Sequence, residues 1–321
     1  MAKTSITIWT VTDNRPGHYK QAEALIEGLR QFVTCQSFLL PVSGTLYKRL
    51  LASQRSASTL HQEHGKPDLL IGVGHSTHLP LLALQHRFGG RSVILMRPSL
   101  PARLFNYAMI PLHDGPRSGH RIWATEGALC NSHQNPSKSA QGVILIGGPD
   151  SRFQWAPEEL WSQIQTICAA TPETHWTLST SRRTPAEFLH HAPTHPNLDY
   201  IDYSRCPPNW LAEALVSADS TWVTPDSVSM VYEALSAGCG VGVLQLALRK
   251  HNKLSRNLDR LSARGDLKRF ADWNSSAPLP KPRRIYAENL RCAARLLEAE
   301  QWFGLPAPHP PLEAWLSHDA P

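Results

Sequence analysis

The stretch Thr224-Pro225-Asp226-Ser227-Val228-Ser229-Met230-Val231-Tyr232-Glu233-Ala234 marks a change from strand to helix. The apolar run at 221–224 is typical of a strand and ends at a proline, and an amphipathic helical segment follows at 228–237. Asp226 and Ser227 offer N-cap side chains to that helix. The hydroxyls of Ser227 and Ser229 and the unpaired N–H groups of the first turn then lie at a strand end, which favours a phosphate or diphosphate. A capped helix without a ligand is the alternative, because such strand ends are common in α/β proteins.

Apolar segments of strand length alternate with amphipathic segments of helix length along most of the chain. We expect strands at 5–11, 68–73, 92–96, 143–146, 175–179, 221–224 and 241–244, and helices at 19–32, 79–87, 157–169, 209–216, 228–237 and 287–303. Because nearly all-apolar strands alternate with helices, the pattern predicts parallel sheets covered on both faces. The predicted fold class is therefore α/β, with two Rossmann-like domains.

A polar segment without periodic apolar positions interrupts this alternation and is typical of a linker. We place the linker at 131–141, between an N-terminal Rossmann-like domain at 1–130 and a C-terminal one at 142–285. Residues 286–321 are predicted to form a C-terminal helix and a proline-rich tail. Two positions are open to that helix: packed back on the N-terminal domain or separate from it.

The composition predicts a soluble globular protein with anionic partners. The chain has 321 residues, 41% of them hydrophobic and 18% charged, and a net charge of +6. No apolar run reaches the roughly 18 residues that span a bilayer, and the first residues lack the apolar core of a signal peptide. A cytoplasmic location is expected, and peripheral attachment to the inner membrane is left open. The positive charge suits nucleotides, phosphorylated glycolipids or an acidic membrane face.

Several classes of protein are disfavoured. The six cysteines are widely spaced and form no CxxC pair, which argues against a disulfide framework and a thiolate zinc site. The sixteen histidines are scattered, so we expect no metal site. No basic stripe interleaved with aromatic residues is present, so no nucleic-acid partner is expected.

Polar residues follow most of the predicted strands, where open parallel sheets bind their ligands. These polar segments are 12–18, 72–78, 97–98, 147–151, 179–183 and 224–227, and a further one, 113–114, lies beyond the strand predicted at 92–96. Seven turns rich in Gly, Ser, His, Asp and Arg, all on the edge where ligands bind, predict a cleft between the two halves.

Motifs at these strand ends resemble those of the mitochondrial-fission, or "elongated mitochondria", family. They are Asp13-x-x-Pro16-Gly17-His18-x-x-Gln21, Gly74-x-x-Thr77-His78-Leu79-Pro80-Leu81-Leu82, Met96-Arg97-Pro98, Ile146-Gly147-Gly148-Pro149, Thr180-Ser181-Arg182-Arg183-Thr184-Pro185 and Thr224-Pro225-Asp226-Ser227-Val228-Ser229-Met230. The resemblance runs from about residue 8 to about residue 245. The chain departs from the family pattern at Asn14-Arg15, where Gly-Lys is common, but keeps the positive charge. Bacterial members resemble GT-B glycosyltransferases, so the resemblance implies two Rossmann-like domains facing across a cleft.

By this resemblance the second half binds a nucleotide-sugar donor. The implied donor-binding residues are Gly147, Gly148, Ser181, Arg182, Arg183, Thr224, Asp226, Ser227, Ser229, Met230 and Glu233. Gly147 and Gly148 would let the backbone approach a phosphate and tolerate positive φ. Arg182 and Arg183 would neutralise the leaving phosphate, as other GT-B enzymes do without a metal, and Glu233 would accept hydrogen bonds from the ribose. A solvated turn is the alternative for the arginine pair.

By the same resemblance the first half binds the acceptor, and it would supply a catalytic base if the reaction inverts the anomeric centre. Asp13 is the favoured base, because its carboxylate follows the first strand, and His18 is the reserve. A turn or cap role is the alternative for Asp13, and His18 has phosphate binding or helix initiation as its alternatives. The residues expected on the acceptor side are Arg15, Gly17, Gln21, His78, Arg97, His113 and Asp114. For His78, a position at the start of a helix is the simpler interpretation.

We therefore predict a metal-independent GT-B-type glycosyltransferase that uses a nucleotide sugar and needs no further cofactor. The predicted acceptor is a cell-envelope glycan or glycolipid, such as lipopolysaccharide core. The basic charge of the chain and the exposed pair Trp302-Phe303 would hold the protein at an acidic membrane face. Two alternatives stay open: a nucleotide-sugar isomerase or hydrolase on the same scaffold, and a non-catalytic adaptor.

Overall fold

The computed structural model describes residues 5–117, 119–131, 139–275, 277–284 and 286–302. The strands, in chain order, are β1 (Ser5–Thr12), β2 (Thr34–Pro41), β3 (Leu69–Val73), β4 (Arg91–Leu95), β5 (Tyr107–Pro111), β6 (Ile122–Thr125), β7 (Ser139–Leu145), β8 (His175–Ser179), β9 (Leu198–Ile201), β10 (Ala218–Val223), β11 (Gly240–Val243) and β12 (Lys268–Arg269). The helices are α1 (Pro16–Arg30), α2 (Leu46–His64), α3 (His78–Phe88), α4 (Pro157–Ala170), α5 (Trp210–Ser217), α6 (Val228–Ser236), α7 (Lys253–Ala263) and α8 (Glu288–Glu300).

These elements form two units. Unit 1 holds the described residues up to 131 and from 287 onward, and unit 2 holds those between them. Each unit contains one six-stranded sheet, in the order β2-β1-β3-β4-β5-β6 in unit 1 and β12-β11-β10-β7-β8-β9 in unit 2. Every pairing within the two sheets is parallel. In each unit the carboxyl ends of all six strands therefore meet at one edge.

Unit 1 buries both faces of its sheet. Along β1, Ile6 and Ile8 enter a core that also contains residues of α1 and α8, whereas Trp9 and Val11 enter the opposite core beneath α2 and α3. Successive side chains of a strand point to opposite faces, so a strand covered on both sides must be apolar throughout.

Helix α8 is the last helix in the chain, and it packs closely against unit 1. Hydrogen bonds and ion pairs of charged side chains also hold it there. It crosses α1 where a Cβ added to Gly28 would lie 2.5 Å from the Asn289 carbonyl oxygen. The mostly buried guanidinium of Arg291 donates to Glu288 and, at 2.6 Å, to the Ala124 carbonyl. Arg91 Nε lies 2.7 Å from a carboxylate oxygen of Glu300.

Unit 2 places large indole rings over glycines of neighbouring strands. Trp176 pairs in register with Gly142, and Trp222 pairs with Gly242. A Cβ added to either glycine would lie 2.3 Å from the ring of its partner. Glycine at these positions leaves the space that the two rings occupy in the unit 2 core.

Every segment predicted from the sequence as a strand or helix overlaps an element of that kind, and the strand at His175–Ser179 has the predicted bounds. The pattern missed β2, α2, β5, β6, β9, α7 and β12. The predicted linker at 131–141 is wrong at its C-terminal end, because Ser139–Gln141 already belong to β7, which pairs with β8 and β10 there. Residues 132–138 and the proline-rich tail lie outside the described residues.

Candidate functional site

In unit 2 the candidate residues lie in three neighbouring loops. The sheet order places β10, β7 and β8 side by side, so the loops at 146–152, 180–184 and 224–227 leave the same edge together. The reversal of strand order lies between β7 and β10, and at such a point open α/β sheets bind ligands. The topology therefore brings the three predicted donor-binding segments to one place.

Gly147 and Gly148 pack directly against protein atoms. A Cβ added to Gly147 would lie 2.1 Å from Oδ2 of Asp226, and one added to Gly148 would lie 2.1 Å from the Arg183 carbonyl oxygen. Neither glycine has a positive φ. The tolerance of glycine for positive φ is therefore not used here, and these positions are glycine because the adjoining loops occupy the space of a side chain.

Hydroxyl groups fasten the three loops to one another. Ser181 Oγ donates to the Gly147 carbonyl at 2.8 Å, and the Gly147 amide donates to Thr224 Oγ1 at 2.8 Å. Thr184 Oγ1 donates to the Ile146 carbonyl at 3.1 Å and accepts from the Ser181 amide. Ser181 and Thr224, predicted to touch the donor, thus use their hydroxyl groups to hold the loops.

Asp226 is the charged centre of this arrangement. Its carboxylate is fully buried, and Oδ2 accepts from the Gly148 amide at 3.1 Å and from Nη2 of Arg183 at 2.7 Å. Oδ1 is buried without a hydrogen-bond partner in the part of the chain that the structure describes. Asp226 is not the N-cap of α6; that position belongs to Ser227, whose side chain makes no capping hydrogen bond. The capping role predicted for these two residues is wrong, because the Asp226 carboxylate turns towards Gly148 and Arg183.

A second ion pair lies in the loop after β7. Nε and Nη2 of Arg152 each donate to the Asp150 carboxylate at 2.6 Å. The hydrogen bond from Arg152 lowers the pKa of Asp150, against the effect of burial, and the nearby charge of Arg183 lowers it further. The same hydrogen bond raises the pKa of Arg152, and the charge of Asp226 adds to that effect. Asp150, Arg152, Arg183 and Asp226 thus form one network of opposite charges at the loop after β7.

Groups suited to an anion lie beside this network. The amides of Val228, Ser229 and Met230 have no hydrogen-bond acceptor within the described residues, and they carry the positive end of the α6 dipole. Ser229 is exposed and Met230 is half-buried, while Ser227 is buried. Arg182 is exposed, and the Arg183 side chain keeps 43% of its surface accessible. Glu233 is half-buried in α6, one and a half turns from its start.

A cavity of about 250 Å³ adjoins Pro225, the residue next to Asp226. Phe153, Leu246, Leu248 and Phe270 supply much of its lining. These walls suit a hydrocarbon group better than a polar one.

In unit 1 the structure brings Asp13 and His18 together. Nδ1 of His18 lies 3.0 Å from Oδ1 of Asp13, and the Asp13 carboxylate also accepts from Ser76 Oγ at 2.9 Å and from the Arg15 amide at 3.2 Å. The imidazole packs over Gly74, whose φ is +84°, and a Cβ there would lie 2.4 Å from Cε1 of His18. Ser76 was not predicted, although it follows the strand next to β1.

The hydrogen bonds at Asp13 change the expected division of roles. Burial raises the pKa of Asp13, but the hydrogen bonds from Ser76, the Arg15 amide and His18 together bring this pKa below its ordinary value of 3.8. A carboxylate so stabilised takes up a proton poorly near neutral pH. Nε2 of His18 has no hydrogen-bond partner among the described residues. The geometry therefore favours His18 as the base and Asp13 as the residue that orients it.

The remaining acceptor-side candidates do not converge as expected. His78 begins α3, is buried against Phe105, and lies 3.2 Å from Ser99 Oγ through Nδ1. Burial, followed by the charge of His75, lowers the pKa of His78. Gln21 donates to the Gly17 carbonyl of its own helix at 3.2 Å.

Arg97 and Asp114 form a separate contact at the same sheet edge. Nη1 of Arg97 donates to the Asp114 carbonyl at 2.8 Å and so joins the loops after β4 and β5. His113 lies half-buried beside it, whereas Arg15 and Gly17 are exposed after β1.

Within the described residues, no three or more His, Cys, Asp or Glu side chains are grouped so as to hold a metal ion. No helix of that part of the chain is both long and apolar enough to cross a membrane. The six cysteines are all free thiols.

Two Rossmann-like units, each with a parallel sheet and polar loops at its carboxyl edge, define a protein of GT-B-like fold. The chain belongs to the mitochondrial fission ELM1 family, whose model matches residues 16–299. No curated protein matches the chain closely enough to count as a relative.

Solved structures support the fold assignment. A Listeria monocytogenes protein provisionally assigned as a UDP-N-acetylglucosamine 2-epimerase is 14% identical, with a TM-score of 0.55 over 95% of this chain and 99% of that one. S. aureus MnaA, solved with UDP, is 13% identical, with a TM-score of 0.53 over 92% and 97% of the two chains. A UDP-glucosyltransferase from Polygonum tinctorium that glucosylates indoxyl is 10% identical, with a TM-score of 0.51 over 98% of both.

Proposed function

We propose that this protein is a GT-B-type glycosyltransferase that moves a sugar from a nucleotide donor to a cell-envelope glycan or glycolipid. The observation that carries the proposal is the anion site of unit 2, where Arg183 is oriented by buried Asp226 next to the open amides of α6. Guanidinium groups and a helix N-terminus both stabilise phosphate. The structural neighbours include a protein solved with UDP and a UDP-glucosyltransferase, which is consistent with this ligand class.

In this proposal unit 2 holds the donor. Arg182 and Arg183 neutralise the nucleotide phosphates, with Ser229 and the first α6 amides as further donors, and Glu233 accepts from the ribose. The buried Asp226 carboxylate keeps Arg183 in place, and Gly147, Gly148, Ser181 and Thr224 keep the loops together. The arginine pair supplies the charge that a metal ion supplies in other transferases, so donor binding is expected to survive chelation.

A transfer that inverts the anomeric centre needs a base, and unit 1 supplies the candidate. Nε2 of His18 takes the proton from the acceptor hydroxyl as that oxygen bonds to the anomeric carbon, and the bond from this carbon to the nucleotide phosphate breaks. Asp13 holds the Nδ1 proton of His18 and stabilises the imidazolium that forms. The charge of the departing nucleotide passes to the arginine pair.

A glycolipid substrate fits two features. The net positive charge attracts phosphorylated sugars. The apolar cavity beside Pro225 suits a hydrocarbon substituent. We assign lipopolysaccharide core as the first acceptor to test.

The first experiment is a thermal-shift screen of the full chain with CMP, UDP, GDP and ADP and their sugar forms. A ligand at about one hundred times its dissociation constant adds roughly 2.7 kcal/mol of stability. The shift with one nucleotide should be lost in Arg183→Ala and Glu233→Ala but kept in Arg256→Ala, a matched change of an exposed arginine in α7. If no nucleotide at millimolar concentration shifts the wild type, the donor site proposed here is wrong.

A second experiment separates the alternatives. With the donor identified, nucleotide release is followed with and without lipopolysaccharide acceptor, and the anomeric configuration of the product is determined. Release that depends on the acceptor supports a transferase, whereas conversion of the donor alone identifies an isomerase or hydrolase. Nucleotide binding without turnover under either condition would favour the adaptor.

A further inference from the structure

The positive charge of the chain is concentrated in one part of unit 1. Residues 28–113 contain nine Lys or Arg but only two acidic residues, Glu63 and Asp68, which gives this segment a net charge of +7. The whole chain carries +6, so the remainder carries −1. The excess therefore belongs to the segment that contains α2, α3 and the loop after β4.

Exposed leucines occupy the same region. Of the seven large hydrophobic side chains that are exposed among the described residues, five lie in this segment, at 38–51% exposure: Leu39, Leu46, Leu51, Leu79 and Leu104. Isolated exposed leucines need no explanation, but a group of them among unpaired cations does.

The fold brings these leucines to one edge. Helices α2 and α3 pack on the same face of the sheet and both begin at its carboxyl edge, after β2 and β3. Leu46 and Leu79 lie in their first turns. The loop with Leu104 is held to the start of α3 by the contact between Ser99 and His78.

Basic side chains surround the leucines. Lys48, Arg55 and Arg103 are exposed, and none of them forms a side-chain hydrogen bond or ion pair with another described residue. We call these three, with Leu46, Leu51, Leu79 and Leu104, the basic leucine surface.

We propose that the basic leucine surface binds the face of a bilayer that contains anionic lipids, with the leucines inserted among the headgroups. Separated apolar side chains flanked by Lys and Arg suit an interfacial contact. A second copy of the chain would oppose this surface with the same charge, and phosphate backbones of nucleic acid would leave the leucines without apolar contact. The Trp302-Phe303 pair, which the sequence suggested as a membrane anchor, is not part of this surface. Trp302 packs partly against the unit 1 core, and Phe303 lies outside the described residues.

This inference does not depend on the proposed glycosyltransferase activity. The basic leucine surface shares no residue with the donor-binding loops of unit 2. Nucleotide binding and membrane binding can therefore fail separately.

The test is co-sedimentation of the full chain with phosphatidylcholine vesicles that contain or lack phosphatidylglycerol. We expect binding to the anionic vesicles, about tenfold or more weaker binding to the neutral ones, and a further loss as salt rises. The double variant Leu51→Gln/Arg55→Glu should weaken anionic-vesicle binding by about tenfold or more. Tyr203→Gln/Arg205→Glu is the matched control in unit 2, because Tyr203 is also an exposed large hydrophobic residue, at 42%, and Arg205 is exposed.

Thermal melting of both double variants shows that each folds. The inference is overturned if the full chain does not bind anionic vesicles. It is also overturned if both double variants lose vesicle binding equally, or if neither variant loses vesicle binding. Binding of duplex DNA but not vesicles would also overturn it and would identify a nucleic-acid surface instead.

Discussion

Replacement of Gly148 by alanine tests whether the loops of unit 2 depend on the space that the glycine leaves. The new Cβ would lie 2.1 Å from the Arg183 carbonyl oxygen, where ordinary contact begins at 3.4 Å, so the 180–184 loop must move by about 1.3 Å. That movement disturbs the pairing of Arg183 with Asp226. Overpacking of this kind costs about 1–3 kcal/mol. For a unit of this size we expect a fall in Tm of about 4–8 °C per 2 kcal/mol.

Calorimetry of wild type and Gly148→Ala measures this cost, and nucleotide titration measures the loss of donor affinity. Gly17→Ala is the matched control, because a Cβ at Gly17 has no atom within 4 Å and alanine favours the helix; its Tm should not fall. The reasoning is refuted if Gly148→Ala melts within about one degree of wild type and binds the nucleotide equally well.

Three further outcomes are expected. Asp13→Asn should lower kcat by about 10²–10⁴ with little change in KM, because an amide no longer fixes the His18 tautomer with Nε2 open; steady-state kinetics with the identified donor would contradict this if kcat is unchanged. Because the folded-state pKa of Asp13 lies below its unfolded value of 3.8, its stabilising contribution is present above that pH and is lost as the pH falls through the folded-state pKa. Denaturant unfolding should therefore show wild type more stable than Asp13→Asn at pH 7 and the difference shrinking in acid. Glu288→Ala should cost about 3–5 kcal/mol by leaving Arg291 buried without its carboxylate, whereas Glu298→Ala, exposed in the same helix, should cost little; equal urea midpoints would argue against a structural ion pair.

The segments that the sequence predicted are those with strong apolar patterns. Helix α2 was missed because small or polar residues such as Ser53 and Ala57 fill its buried positions, so the apolar period is weak. Strand β2 was missed because it lies at the sheet edge and most of its side chains are exposed or half-buried, without regular alternation. In both cases tertiary packing decides the structure where local pattern does not.

The candidate site could be located from the sequence but its internal division of roles could not. Strand ends identified the three unit 2 loops, because parallel strands bring their carboxyl ends together. The sequence could not show that the Asp226 carboxylate holds Arg183 and Gly148 in place of a helix cap, since those contacts join residues 43 and 78 positions apart. Ser76 was missed for the same reason, as its contact with Asp13 spans 63 positions. Knowledge that β1 and β3 are neighbours would have found it.

The position of α8 has a consequence for the order in which the two units are completed during synthesis. Its residues Cys292, Ala293, Leu296 and Leu297 fill one core of unit 1, yet they are translated after all of unit 2. A nascent chain that ends at 286 thus contains every strand of unit 1 but lacks the helix that covers its α1 side. We expect unit 2 to reach its native state first, and the N-terminal sheet to need protection from aggregation until the last helix leaves the ribosome.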